Sequence, residues 1–161
     1  MKGVIMILEV KEIKKTFDKT EILHGISFTV QSGKAMGFLG RNGAGKTTTF
    51  RCLMNVFKQT EGKFLLDGKP FDVNQNHIGY LPEERGMYAK VSLKDQLAYF
   101  AKLKGADNKK AAEEAEYWID YFGLKEYTNK KLETLSKGNQ QKIQIAQAFI
   151  NDPAIIILDE P

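Results

Sequence analysis

The sequence predicts an α/β fold, and three observations predict it. Gly40-Arg41-Asn42-Gly43-Ala44-Gly45-Lys46-Thr47 lies between a short apolar run at residues 35–39 and a stretch with apolar residues at helical spacing. Far along the chain, Ala154-Ile155-Ile156-Ile157-Leu158 is a strand-like apolar run tipped by Asp159 and Glu160. Ahead of both, Ile7 to Ile13 and Ile22 to Val30 carry alternating and β-branched residues that predict antiparallel strands.

The octapeptide matches G-x-x-x-x-G-K-[ST], a loop that cradles phosphates. Residues 35–39 read as the strand before it. Lys46 to Phe57 reads as the helix after it, with Phe50, Leu53, Met54 and Phe57 on one face. Glycine admits positive φ and lets backbone approach a ligand closely. Amides of the loop and of the helix opening then point at phosphate oxygens, where the helix dipole also favours anions. In this arrangement Lys46 supplies charge to the β- and γ-phosphates and Thr47 a hydroxyl to Mg²⁺. A glycine-rich turn with a chance lysine is the bland alternative, and strand before with helix after speaks against it. The acidic run alone has an equally bland reading, since any buried strand can end in a carboxylate. Beside a phosphate loop, Asp159 is read as holding Mg²⁺ through water and Glu160 as the general base that polarises the attacking water.

The remaining elements follow from local signals. Phe64-Leu65-Leu66 before Asp67-Gly68 predicts a strand entering a tight turn, and His77 to Pro82 a second short strand. Ser92 with Asp95 opens a helix that Gly105 ends. A second helix runs from about Asn108 to a stop at Gly123, packed through Ala111, Ala115, Trp118, Ile119 and Phe122. A third, from about Gly138 to Ile150, is capped by Ser136 and leads through Asn151-Asp152-Pro153 into the acidic strand.

With 161 residues, one domain is the expectation; 42% hydrophobic and 27% charged residues suit a globular protein. No apolar run approaches the roughly 18 residues of a membrane span. The apolar start, Met1 to Leu8, is broken by Glu9, Lys11 and Glu12 and reads as a first strand rather than a secretory leader. A single cysteine, Cys52, forbids an internal disulfide and reads as a small core residue of a reduced, cytosolic protein. The net charge of +4 is spread out, and Lys109 and Lys110 face Glu113 and Glu114 at helical spacing. That describes a solvated surface rather than a nucleic-acid footprint, so no nucleic-acid partner is expected. His24 and His77 are isolated and read as surface or strand-edge residues.

The phosphate loop, with Leu135-Ser136-Lys137-Gly138-Asn139-Gln140-Gln141 just ahead of Ile155 to Pro161, resembles ATP-binding-cassette (ABC) ATPases over the whole chain. Ile78 to Gly86 is similar to the family's Q-loop segment. The combination is close to ATPase subunits of bacterial exporters of the sodium-extrusion and antibiotic-export groups. The resemblance implies a P-loop NTPase core of ABC type with an N-terminal antiparallel β subdomain and a helical insert. It makes 1–161 one incomplete nucleotide-binding domain, with 1–86 and 152–161 as nucleotide core and 87–151 as helical subdomain.

It further implies that Phe17 stacks on adenine and that Asn42, Gly43, Ala44, Gly45, Lys46, Thr47 and Thr48 wrap the phosphates of ATP. Ser136 and Gly138 would close over the γ-phosphate held by a second subunit in a head-to-tail dimer. The partner would be a transmembrane transporter subunit, with this chain cytoplasmic and peripheral to the inner face of the membrane. Departures from the family pattern are Lys137 and Asn139 in the signature, Glu83 where the Q-loop has glutamine, and Arg41 in the loop. Glu83 retains a catalytic assignment as an acid that can order water or approach Mg²⁺. The family's D-loop, switch histidine and the strand carrying it do not follow Pro161. The expectation is a truncated product whose sheet is rearranged, completed by another chain, or marginal. Two competing readings are a nucleotide-binding remnant without turnover and a soluble ABC ATPase of translation or DNA maintenance.

Overall fold

The computed structural model describes residues 5–83 and 86–160. They form two compact units, one up to Gln75 and one from Asn76. Met1 to Val4, Glu84, Arg85 and Pro161, on which parts of the first-strand, Q-loop and acidic-motif readings fall, lie outside the described residues.

The first unit is an antiparallel sheet in the order β2-β1-β3-β4, made of β1 (Ile7–Phe17), β2 (Thr20–Gln31), β3 (Glu61–Leu66) and β4 (Lys69–Pro70). Strict alternation along β1 buries Leu8 and Val10 and would next bury Glu12. Instead Glu12 takes φ 50°, the register with both neighbouring strands shifts, and Ile13 returns to the buried face. Ser27 secures this bulge: its hydroxyl accepts from the Glu12 N–H at 2.9 Å and donates to the Glu12 carboxylate at 2.6 Å. The turn from β3 to β4 has φ 51° at Asp67 and 75° at Gly68, as a two-residue hairpin turn requires.

Helix α1 (Lys46–Leu53) packs through Thr49, Cys52 and Leu53. It is shorter than predicted: Met54 caps it and Asn55 turns left-handed with φ 54°. Phe57 therefore lies beyond the helix, packed edge-on against Phe17 at 5.1 Å. Residues 35–39 also depart from expectation, for they carry no strand. A strand exists through its hydrogen-bonded neighbour, and no described strand pairs with this run. Leu39 is 97% exposed, while Phe38 rests between Phe28 and Phe50 at 5.4 and 5.5 Å.

The second unit holds a parallel pair, β5 (Ile78–Leu81) and β6 (Ile155–Leu158), in register from Ile78↔Ile155 to Leu81↔Leu158. Three helices pack with it: α2 (Leu93–Leu103), α3 (Asn108–Tyr121) and α4 (Lys137–Phe149). Their starts and stops fall where the sequence placed them, with caps Ser92, Asp107 and Ser136 and left-handed Gly105 and Gly123. Leu93, Leu97, Ile119, Ile143 and Ile150 centre one apolar core. Asp95 accepts from the Ser92 hydroxyl at 2.6 Å while its own N–H donates to that oxygen.

The junction of α4 with β6 is tied down by a lysine. Lys104 Nζ donates to the carbonyls of Gln147, Ala148 and Ile150 at 3.1–3.3 Å, closing the C-terminal end of α4. Asn151 and Asp152 then take φ 64° and 48°, and the Asn151 amide donates to the Lys104 carbonyl at 2.8 Å. Glu114, expected to face lysine on the surface, instead accepts from the Trp118 indole and the Asn151 N–H, both at 3.3 Å. Burial pulls the Lys104 ammonium below its ordinary pKa, with Glu114 opposing. No described helix is long and apolar enough to cross a membrane.

Candidate functional site

The glycine loop is held on the first unit's sheet from below. Gly45, φ 86°, is buried over β2, so close to the Leu23 side chain that an added Cβ would collide with it. The Gly45 carbonyl accepts from both the N–H and the hydroxyl of fully buried Thr49 at 2.9 Å, locking the start of α1. Above this base, Asn42, Gly43 and Ala44 are exposed, and a Cβ at Gly43 would meet nothing within 4 Å. Lys46 curls back over the loop, its ammonium donating to the carbonyls of Gly40 at 2.8 Å and Arg41 at 3.4 Å. Thr47 and Thr48 follow in the first turn, half-buried. Gly45 has no side chain with which to cap α1. The loop therefore presents what an anion needs: a cation, a helix opening and exposed backbone at residues 42–44.

In the second unit, the parallel register brings the C-terminal ends of β5 and β6 together. The Asp159 N–H donates to the Leu81 carbonyl at 2.9 Å, so Glu83 and the Asp159-Glu160 pair follow the same sheet edge. Asp159 is 1% exposed, and its Oδ2 is buried without a hydrogen-bond partner among the described residues. Such an orphaned acceptor costs about 1–3 kcal/mol, and a cation or its water shell removes that cost. Glu160, φ 55°, and Glu83 are exposed. Among the described residues no three His, Cys, Asp or Glu side chains converge on a metal-sized site. Magnesium fits this donor set, since it takes one or two carboxylates and completes its shell with water and phosphate.

The signature stretch opens α4. Ser136, Lys137 and Gly138 are all exposed, and Ser136 Oγ accepts from the Asn139 N–H at 3.3 Å. The Gln140 side chain donates to the Leu135 carbonyl at 2.9 Å, fixing the chain ahead of the serine.

Phe17, at the end of β1, is 42% exposed. Sequence reasoning missed its surroundings: Lys15 lies over its ring and Phe57 stands at its edge. Strand alternation puts Lys15 and Phe17 on one face, a signal that was legible; the return of Phe57 to β1 was not. Also missed was Gly79 in β5, where an added Cβ would run into the Ala148 carbonyl of α4.

A glycine-rich phosphate loop opening a helix, with a buried aspartate ending a parallel strand, defines a P-loop nucleotide-binding class. Within that class, the ABC transporter family model matches residues 23–161, and the chain belongs to this family. It is 44% identical over 156 residues to the ABC transporter ATP-binding protein YhaQ of Bacillus subtilis, covering 96% of this chain and 52% of that one. It is 40% identical over 154 residues to the ABC transporter ATP-binding protein MJ1023 of Methanocaldococcus jannaschii, covering 96% and 56%. The structure of cbiO1 from Clostridium perfringens, part of the ABC transporter complex cbiONQ, superposes with a TM-score of 0.82 at 25% identity, over 96% of this chain and 65% of that one. The chain thus spans about half the length of the curated relatives it matches.

Proposed function

We propose that this chain is the ATP-binding and hydrolysing part of an export-type ABC membrane transporter. The observation that carries the reading is the opening of α1: exposed Asn42 to Ala44 and the Lys46 ammonium surround a helix start that has no capping side chain. Asn42 to Thr48 would hold the phosphates, with Lys46 turning from its loop carbonyls to the β and γ oxygens. Thr47 and Asp159 would hold Mg²⁺, which when bound supplies charge neutralisation on those oxygens. Glu160 would take a proton from the attacking water, and Glu83 would order that water from the same edge. Phe17 would stack on adenine.

Ser136 and Gly138 would complete the nucleotide site of a second ATPase subunit, joined head to tail. The serine oxygen accepts from its own helix, but its hydroxyl proton can still be donated to phosphate. Closing on ATP and opening after hydrolysis would work a transmembrane subunit by differential affinity for the two states. The helical part, 87–151, would dock on that subunit at the cytoplasmic face of the membrane, and 1–86 with 152–161 would form the nucleotide core. The likeness of the loop and signature to exporter ATPases supports the direction of transport.

A second reading, binding without turnover, is favoured by Glu83, Lys137 and Asn139, which depart from the family pattern. Measuring Mg-ATP affinity and phosphate release on the same preparation separates the two. Turnover that Glu160→Gln abolishes supports the engine; tight binding with no release supports the second reading. Failure to bind Mg-ATP contradicts both.

A further inference from the structure

An aromatic-cation cluster closes the end of β1. The Lys15 ammonium lies 4.6 Å from the Phe17 ring centroid and 5.2 Å from that of Phe57. The two rings stand 5.1 Å apart at 81°, so the cation occupies the corner between nearly perpendicular faces. Its position is fixed by a hydrogen bond to the Lys58 carbonyl at 2.7 Å. The segment that supplies Phe57 and Lys58 is stitched to β1 on both sides of Lys15. The Thr60 N–H donates to the Lys14 carbonyl at 2.8 Å, and the Thr60 hydroxyl accepts from the Thr16 N–H at 3.0 Å.

The same strands support the phosphate loop. Lys15 pairs with Leu23 across β1 and β2, and Leu23 is the side chain on which Gly45 rests. The segment bearing Phe57 leaves the end of α1, held by the Val56 N–H donating to the Arg51 carbonyl at 2.9 Å. Phe17 is thus built into the framework that carries the loop, yet keeps 42% of its surface in solvent. A half-buried lysine can still sample several rotamers; here one hydrogen bond and two rings hold it beside a partly exposed aromatic.

We propose that Lys15 is a positioning residue for the nucleobase, holding the Phe17 ring upright against Phe57 and drawing its π density so that the exposed part of the ring stacks on a purine. A cation near an aromatic face is attracted to the negative quadrupole of the ring. The ring's remaining surface is left less negative, which lowers its repulsion toward the electron-rich face of a purine. The inference rests on the reading of Phe17 as the base platform and extends it to a residue two positions earlier.

Titration calorimetry of the full chain with Mg-ATP and with Mg-tripolyphosphate, which lacks the base, tests it. Lys15→Met keeps the stem and removes the charge; it is expected to weaken Mg-ATP binding about two- to fivefold and to leave tripolyphosphate unchanged. Lys15→Arg keeps a cation over the rings and is expected to bind Mg-ATP as the parent does. Phe17→Ala is expected to lose more ATP affinity than Lys15→Met, again sparing tripolyphosphate. Unchanged ATP affinity in Lys15→Met, beside a loss in Phe17→Ala, overturns the role of Lys15 and leaves the base platform standing. An equal loss of both ligands in Lys15→Met overturns it too, because the lysine then acts on phosphate. Unchanged ATP affinity in Phe17→Ala removes the platform and the proposal together.

Discussion

Helices α1 and α4 both open at stretches that resemble ABC nucleotide-site motifs, yet they open in opposite ways. α1 starts from Gly45 in the left-handed region, a cap residue that makes no side-chain hydrogen bond to the helix. α4 starts from Ser136 in extended backbone, and the serine oxygen already accepts from Asn139. On the proposed function, the first opening takes its partner from a bound phosphate. The second has one of its first amides met by its own serine, and offers a hydroxyl proton and an exposed surface. On the proposed function, the difference would separate a site that grips a ligand alone from one suited to completing a site elsewhere.

Four changes break or sharpen that contrast, taken from the largest effect down. Gly45→Ala forces a side chain into the left-handed region and against Leu23. It should cost about 1–3 kcal/mol in folding stability and remove measurable Mg-ATP binding, read by urea denaturation and calorimetry. Asp159→Asn should reduce the melting shift produced by Mg-ATP to that produced by ATP without metal. The ligand-free melting temperature should not fall, since the replaced carboxylate leaves its Oδ2 unsatisfied in the fold.

Ser136→Ala removes the α4 cap and should cost about 0.5–2 kcal/mol, while Mg-ATP affinity of the isolated chain stays unchanged. A loss of affinity matching that of Gly45→Ala would erase the contrast. The smallest effect concerns Cys52, whose thiol burial holds above its ordinary pKa against the pull of Lys15. A raised folded-state value means the thiol keeps its proton when the unfolded chain has lost it. Its contribution is therefore complete below the unfolded-state pKa and declines as pH rises through the alkaline range. Alkylation of native Cys52 at mildly alkaline pH should be slow and should accelerate only on unfolding.

What the sequence made legible was what is locally encoded. Caps at Ser92 and Ser136, stops at Gly105 and Gly123, and the Asp67-Gly68 turn each specify their own backbone, and the chain takes it there. The run 35–39 failed as a strand because apolar character does not supply a hydrogen-bonded neighbour. The helix after the loop ends sooner than its apolar spacing predicts, because Phe57 keeps that spacing while serving another purpose, packing on Phe17. Of the candidate site, the loop and the acidic tip were legible as motifs. The support of Leu23 beneath Gly45 and the clamp of Lys104 on α4 were not, since both join residues far apart in sequence. Glu114 taught the same lesson: helical spacing paired it with lysine, and tertiary structure gave it Trp118 and Asn151.

The central claim is that the ammonium now resting on the Gly40 and Arg41 carbonyls grips nucleotide phosphates. Calorimetric titration of the full chain and of Lys46→Ala with Mg-ATP tests it most directly. Charge-assisted hydrogen bonds of about 1.5–3 kcal/mol predict a loss of roughly ten- to a hundredfold in affinity. Equal affinity in the two proteins would contradict the account.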